Sequence, residues 1–299
     1  MKLRAIFRSL SPGFLLDFYR MRKKAQQRQV LEQQKSSGLA WTRADLTAQL
    51  RSIGIREGDT LLVHSSLSKI GYIENGPKDL VDALLEVVGQ NGHVLMPNSP
   101  NASFQLDYIR SLDVFDVLND ASKLGAITEY FRKLPQAKRS QHPTEPVSCI
   151  GPDADFFTGS HFGNLTPYDA NSPFYRVSER KGKILYIGVT LDNAGTNLHT
   201  LEDAVPDFKF PVYYPEVFSA RVRFEDGTVR EMQTKVHNPV WSKKRQCDGL
   251  IPFFERKGAV EHVKIGHAPT LLFDAERMLA AMIEGYEEEG VTMYSPEGL

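Results

Sequence analysis

The sequence predicts an α/β fold of three layers, α/β/α, around a central sheet that is mostly parallel or mixed, with an antiparallel hairpin subregion. Three observations predict it. The apolar run from Thr60 to His64, a helical segment opened by Gly76-Pro77 and a second apolar run from His93 to Met96 succeed one another at the length of a strand–helix–strand crossover. A further strand-like run, Lys183 to Val189, is followed at once by a helical stretch from about Thr196 to Ala204. Phe218 to Phe224 and Thr228 to Thr234 flank Asp226-Gly227, the strongest short hairpin signal in the sequence.

The elements can be justified in order. A basic head comes first: residues 1 to 35 hold nine Lys or Arg against two acids, an excess of seven positive charges in a chain whose formal net charge is -1. It mixes Phe7, Leu10, Phe14, Leu15, Phe18 and Tyr19 with Arg20, Arg22, Lys23, Lys24 and Arg28, which suits a membrane surface, a partner subunit or an extension packed on the body. Ser36, Ser37 and Gly38 read as a linker, so the chain divides into a basic amphipathic extension, 1–38, and an enzyme-sized domain, 39–299, with an antiparallel insertion around 210–240. Thr42 is the expected N-cap of a helix carrying Leu46, Leu50 and Ile53 and stopped by Gly54. Leu80, Leu84, Val87 and Val88 mark the helix after Gly76-Pro77, and Gly89 closes it. Asn98 to Ala121 lacks periodicity and is long for a loop, the profile of a lid or substrate-facing segment. Ile127 to Leu134 reads as helix, and Leu271, Leu272, Met278, Leu279, Met282 and Ile283 as a last helix.

Composition narrows the function. Hydrophobic residues make up 41% and charged residues 24%, ordinary globular values that exclude disordered and collagenous classes. Two separated cysteines, Cys149 and Cys247, fit a reducing compartment, so a cytoplasmic location is expected and the N-terminus is read as retained. No nucleic-acid partner is expected, and a homo-oligomer is compatible with the sequence.

Several residues can carry chemistry. Ser65, Ser66 and Ser68 follow a strand where free backbone N–H groups face an anion, or simply cap a helix. His199 and Glu202 are three residues apart, so a helix places both on one face, and a carboxylate there can orient an imidazole that removes a proton from an amine. Arg139-Ser140-Gln141-His142-Pro143 offers a cation, a hydroxyl and an imidazole before a turn, and Ser122-Lys123-Leu124-Gly125 precedes a helix as another anion site or cap. Ser66, His199 and Glu202 also permit a serine hydrolase, although no G-x-S-x-G elbow occurs. The scattered His142, His161 and His199 make a zinc site the weaker reading, and no metal is expected.

Taken together, Val63-His-Ser-Ser-Leu-Ser-Lys-Ile-Gly71, the Gly92 to Pro97 strand, Arg139-Ser-x-His-Pro143, Ser172-Pro173 and Thr196-x-x-His-x-x-Glu202 resemble the aminoglycoside 3-N-acetyltransferase family from about Asp45 to Tyr286. The resemblance implies transfer of an acetyl or similar short acyl group from coenzyme A to a sugar amine, in a ternary complex with His199 as general base and Glu202 assisting. It assigns coenzyme contacts to Ser65, Ser66, Leu67, Ser122, Lys123, Gly125, Arg139, Ser140 and Thr196. Asn98 and Asp169, where the chain departs from the family pattern, are candidate acceptor contacts. The expected acceptor is a nucleotide-linked amino sugar of surface polysaccharide biosynthesis, with an aminoglycoside antibiotic, hence resistance, as the alternative. A serine hydrolase and a non-catalytic binding protein are the readings of other classes.

Overall fold

The structure, a computed structural model, describes residues 13–101 and 104–298. Expectations resting on Phe7 and Leu10, and on the side chains of Phe14, Leu15, Phe18, Tyr19, Arg20, Lys23 and Lys24, lie outside the described residues.

Ten strands succeed one another: β1 (Thr60–Ser65), β2 (His93–Pro97), β3 (Phe115–Asp116), β4 (Lys138–Arg139), β5 (Val147–Ile150), β6 (Lys183–Ile187), β7 (Phe218–Arg223), β8 (Val229–Thr234), β9 (Val260–Ile265) and β10 (Ala268–Asp274). Seven of them form the main sheet in the order β4-β5-β2-β1-β6-β10-β9. Its centre is parallel, Thr60 facing His93 and Leu61 facing Lys183, while β5, β10 and the edge strands run antiparallel. The sheet is therefore mixed.

Burial on both faces explains the apolar runs. Successive side chains of a strand point to opposite faces. Leu62, Leu95, Ile184, Tyr186, Leu271 and Phe273 enter one core cluster with Phe174, Phe254 and Met278. Their neighbours Leu61, Val63, Val94, Met96, Leu185 and Leu272 enter the other with Leu46, Leu84 and Phe131. Two cores on one sheet make three layers.

The capping residues act as the sequence suggests. Thr42 and Asp45 form a reciprocal capping box on helix Arg43–Ser52, and Gly76 and Gly89 bracket helix Pro77–Val88. Three expectations are corrected. Leu271 and Leu272 lie on β10, and the final helix begins only at Ala275, N-capped by Asp274; a buried strand and a helix segment have the same short apolar signature. The 98–121 stretch contains helix Gln105–Ser111 and strand β3, which pairs parallel with β7 in a small sheet ordered β3-β7-β8. It is docked there, since Leu106 and Ile109 pack on Ala220 and Val236, and Phe115 on Val222 and Met232; the correction concerns only its regular structure, because Asn101, Phe104 and Gln105 of the same stretch line a cavity. Finally, helix Gly13–Ser36 extends through Ser36, the first residue of the expected linker. Among the described residues no helix is long and apolar enough to cross a membrane.

Candidate active site

The C-terminal ends of the adjacent parallel strands β1 and β6 deliver the chain to two cavities, the place where open α/β sheets bind ligands. The first, of ≈ 510 Å³, is lined by Ser65, Ser66, Leu67 and Ser68 after β1, by Gly125 and Ile127 at the start of helix Ala126–Arg132, by Val189 after β6 and by Leu31 of the N-terminal helix. The Ser65 hydroxyl is buried without a hydrogen-bond partner among the described residues, and Ser66 makes no side-chain cap to the one-turn helix Leu67–Ile70. Both leave polar capacity for a ligand. Gly188 permits this bend: its φ is +67° and an added Cβ would lie 2.5 Å from the Lys69 Cβ. The N-terminal helix is tied to the cleft by Gln34, whose side-chain oxygen accepts from the Tyr72 N–H at 2.8 Å.

The second cavity, ≈ 640 Å³, is lined by Gly195, Thr196, His199, His237, Tyr168, Gln105, Glu145 and Arg245 among others. Its wall is joined to the first through His64 of β1, whose Nε2 lies 3.3 Å from the Thr196 hydroxyl. A 3-10 turn, Thr196–His199, runs directly into helix Thr200–Ala204, which puts His199 and Glu202 on one face as the spacing requires. The His199 Nδ1 stands 3.1 Å from Glu202 Oε1. The other carboxylate oxygen, Oε2, is 2.7 Å from His237 Nε2, and the Tyr294 hydroxyl donates to Oε1 at 2.6 Å. A carboxylate only accepts, so His199 carries its proton on Nδ1 and His237 on Nε2, and the free ring nitrogen of His199 is Nε2. One ligand atom from each of His199, Glu202 and His237 lies within 4.8 Å of the others. Their separations of 3.1 and 2.7 Å are those of hydrogen bonds.

Burial sets the charges. It pushes His199 and His237 below the ordinary imidazole range, with the Arg245 charge lowering both further and Glu202 opposing. The two rings in turn hold Glu202 well below the usual carboxylate range despite its burial. At neutral pH the array is a carboxylate between two neutral imidazoles, so His199 is ready to accept a proton. Burial also lowers His64, His93, His142 and His161, and raises the carboxyls of Glu145 and Asp203 to about 7.

Those shifts predict acid sensitivity. Imidazoles held below their ordinary range take up protons at lower pH in the fold than in the unfolded chain, so acidification below about pH 6.5 favours the unfolded chain. Glu145 and Asp203 oppose this, because the fold retains protons that the unfolded chain has released above the carboxylate range. The lowered imidazoles outnumber the two raised carboxyls, and stability is expected to fall as the pH drops below 6.5. Urea unfolding midpoints between pH 7.5 and 4.5 check it; a flat profile contradicts it.

The expected site residues divide. Ser65, Ser66, Leu67 and Gly125 border the first cavity, while Thr196 and His199 border the second, with Glu202 behind His199. Arg139 and Ser140 do not line either cavity. Arg139 is buried and donates to Asn98 Oδ1 and to the carbonyls of Asn98, Val117 and Asp120, and the Ser140 hydroxyl bridges His161 and the Val147 N–H. They hold the β4–β5 edge in place. Asn98 is likewise taken up by Met96, Ser148 and Arg139, and Asp169 by Asn164 and Asn171, away from the second cavity. The Ser122 N–H bonds Glu129 and the Lys123 N–H bonds the Ser99 carbonyl, so these two residues lie outside the first cavity's lining, while Leu124 and Gly125 of the same turn border it. Ser66 and His199 open onto different cavities, which removes the basis of the hydrolase triad, although the Nδ1 bond of His199 to Glu202 is one that a triad would also use. Sequence reasoning missed His237, Tyr294, Glu145 and Arg245, because each reaches the array from another part of the chain.

A mixed sheet with cavities at its parallel strand ends and a buried His-carboxylate-His array at one of them defines the class of this α/β protein. The model of the aminoglycoside 3-N-acetyltransferase family matches residues 62–287, and the chain belongs to that family. It is 34% identical over 164 residues to aminoglycoside N(3)-acetyltransferase IV of Salmonella sp, covering 54% of this chain and 59% of the relative. It is 30% identical over 265 residues to aminoglycoside N(3)-acetyltransferase VIII of Streptomyces fradiae, covering 82% and 92%. The chain spans about three-fifths of the length of the first curated relatives it matches. Its structure resembles AAC-VIa bound to sisomicin, with a TM-score of 0.68 and 28% identity over 83% of this chain and 98% of that one. AAC-IIIb in binary complex with CoASH shares the fold, with a TM-score of 0.70 at 24% identity over 83% and 97%.

Proposed function

We propose that the chain is a coenzyme A-dependent N-acetyltransferase that acylates the amine of an amino-sugar acceptor. One observation carries the reading: His199 borders an open cavity with Nδ1 held by a buried carboxylate and Nε2 free to take a proton. Acetyl coenzyme A supplies an activated acyl carbon. The acceptor amine forms the C–N bond at that carbon, its proton passes to His199 Nε2, the C–S bond breaks, and the same proton passes from His199 to the leaving thiolate, giving the free thiol and the neutral imidazole. Glu202 is the positioning residue, fixing the His199 tautomer and stabilising the imidazolium that forms. Ser65, Ser66, Leu67 and Gly125 are the residues proposed to hold the coenzyme, in keeping with their place on a cleft of mixed apolar and hydroxyl character.

The names of the relatives support an aminoglycoside over the nucleotide-linked amino sugar that the sequence favours, so aminoglycosides belong in any first panel. Thiol release from acetyl coenzyme A, followed with and without amine acceptors, is expected to show acceptor-dependent turnover. Release that is independent of every amine, or absent with all of them, overturns the reading.

A further inference from the structure

A trough of ≈ 340 Å³ continues the first cavity, and helix Gly13–Ser36 is one of its walls. The two share Leu31, Ser68 and Gly71 among their lining residues, so they form one cleft. Gln26, Val30 and Gln34 follow one another at four-residue spacing and stand on one side of the helix, with Lys69 and His267 on the body of the chain completing the trough. The helix precedes the region that the family model matches, which begins at residue 62.

Hydrogen bonds fix this wall in place. The Gln34 side-chain oxygen accepts from the Tyr72 N–H, and its backbone carbonyl accepts from the Leu39 N–H at 2.9 Å. Just beyond the helix the Trp41 N–H donates to the Tyr72 carbonyl at 2.8 Å, and the Trp41 ring meets His267 edge-on with centroids 5.2 Å apart. Gly71 allows the close approach: its φ is +107°, and an added Cβ would lie 2.7 Å from His267 Cδ2 and 3.3 Å from Gln34 Oε1. Docked mainly by polar bonds, the helix still turns apolar surface to the cleft, since Val30 is exposed and Leu31 only partly buried. A ligand seated there would remove both from water.

Coenzyme A has two unlike parts, a neutral pantetheine arm that ends in the thiol and a nucleotide that carries the phosphates. The thiol end must approach His199. The first cavity is lined by Ser65, next in the chain to His64, and His64 stands 3.3 Å from Thr196 of the second cavity. No Lys or Arg lines the first cavity, which suits the arm, whereas the trough adds exposed Lys69, a cation suited to phosphate.

From this continuous cleft we infer that helix Gly13–Ser36 is part of the coenzyme site: Leu31 covers the pantetheine arm, while Val30, Gln34 and Lys69 receive the phosphorylated nucleotide, Gln34 through its side-chain NH₂. The inference rests on the N-acetyltransferase reading and extends its coenzyme site to a segment ahead of the matched region.

The test is calorimetric titration of the full chain with coenzyme A, and with pantetheine in competition against it. Leu31→Ala is expected to weaken both about 10-fold, because both contain the arm. Gln34→Ala and Lys69→Ala should each weaken coenzyme A about 10-fold and pantetheine less than about two-fold, because only the larger ligand has phosphates to lose. Glu32→Ala, an exposed position that lines neither cavity, should bind both as the parent does. Parent-like or tighter coenzyme A binding in Leu31→Ala and Gln34→Ala, or an equal loss in Glu32→Ala, overturns the inference while the N-acetyltransferase reading stands. Equal losses for coenzyme A and pantetheine in Gln34→Ala and Lys69→Ala overturn the placing of the nucleotide, since damage to the fold alone would not tell the two ligands apart. A parent chain that does not bind coenzyme A overturns the reading beneath it.

Discussion

His199→Ala is expected to lower kcat by about 10³-fold, the middle of the range for removing a general base, while coenzyme A binding stays within about two-fold of the parent. The reason is positional. The imidazole borders the second cavity, and the polar residues proposed to hold the coenzyme border the first. Alanine removes the proton acceptor and one of the three donors to Glu202, leaving His237 and Tyr294 to hold the carboxylate. If the base is the limiting loss, turnover in the variant should rise with pH as more acceptor reaches the enzyme as free amine. Parent-like kcat in His199→Ala would remove the imidazole from the mechanism altogether.

Glu202→Gln is expected to cost nearly as much, about 10²- to 10³-fold in kcat, although it changes one atom. Glu202 accepts from His199 Nδ1, His237 Nε2 and Tyr294 together. An amide has one oxygen and one NH₂, so it cannot accept on both sides. If the NH₂ faces His199, that ring must turn its Nδ1 lone pair inward and present Nε2–H to the acceptor, the wrong tautomer for a base. If it faces His237, the second ring loses its bond and the oxygen side remains correct. The pH profile of kcat/KM separates the outcomes: a base in the wrong tautomer gives low activity at every pH, whereas a correctly oriented but weaker base gives a profile displaced along the pH axis. Parent activity across the whole profile would show that Glu202 does not position the base.

Much of this was legible in the chain itself. Thr42, Gly76, Gly89 and Asp226-Gly227 mark element ends because capping and turn geometry are local properties of a few residues. The His199–Glu202 pair was legible for the same reason, since three residues of helix define its geometry. Arg139 shows the limit. A cation beside a serine and a proline turn reads as an anion grip, but its donors are met by carbonyls from residues about twenty and forty positions away. No local pattern encodes that.

By itself the sequence determined the three-layer α/β class, the crossover at the sheet centre and the placing of His199 and Glu202 on one face, because these follow from periodicity, caps and short-range spacing, while the family came from the resemblance of its motifs. Only the tertiary structure decided that His237, 35 positions from Glu202, and Tyr294, 92 positions away, close the array, and that Arg245 lines the same cavity. The physical reason is that hydrogen bonds and charges act over a few ångströms of space, and the sheet order β4-β5-β2-β1-β6-β10-β9 brings together segments that the order of residues keeps apart.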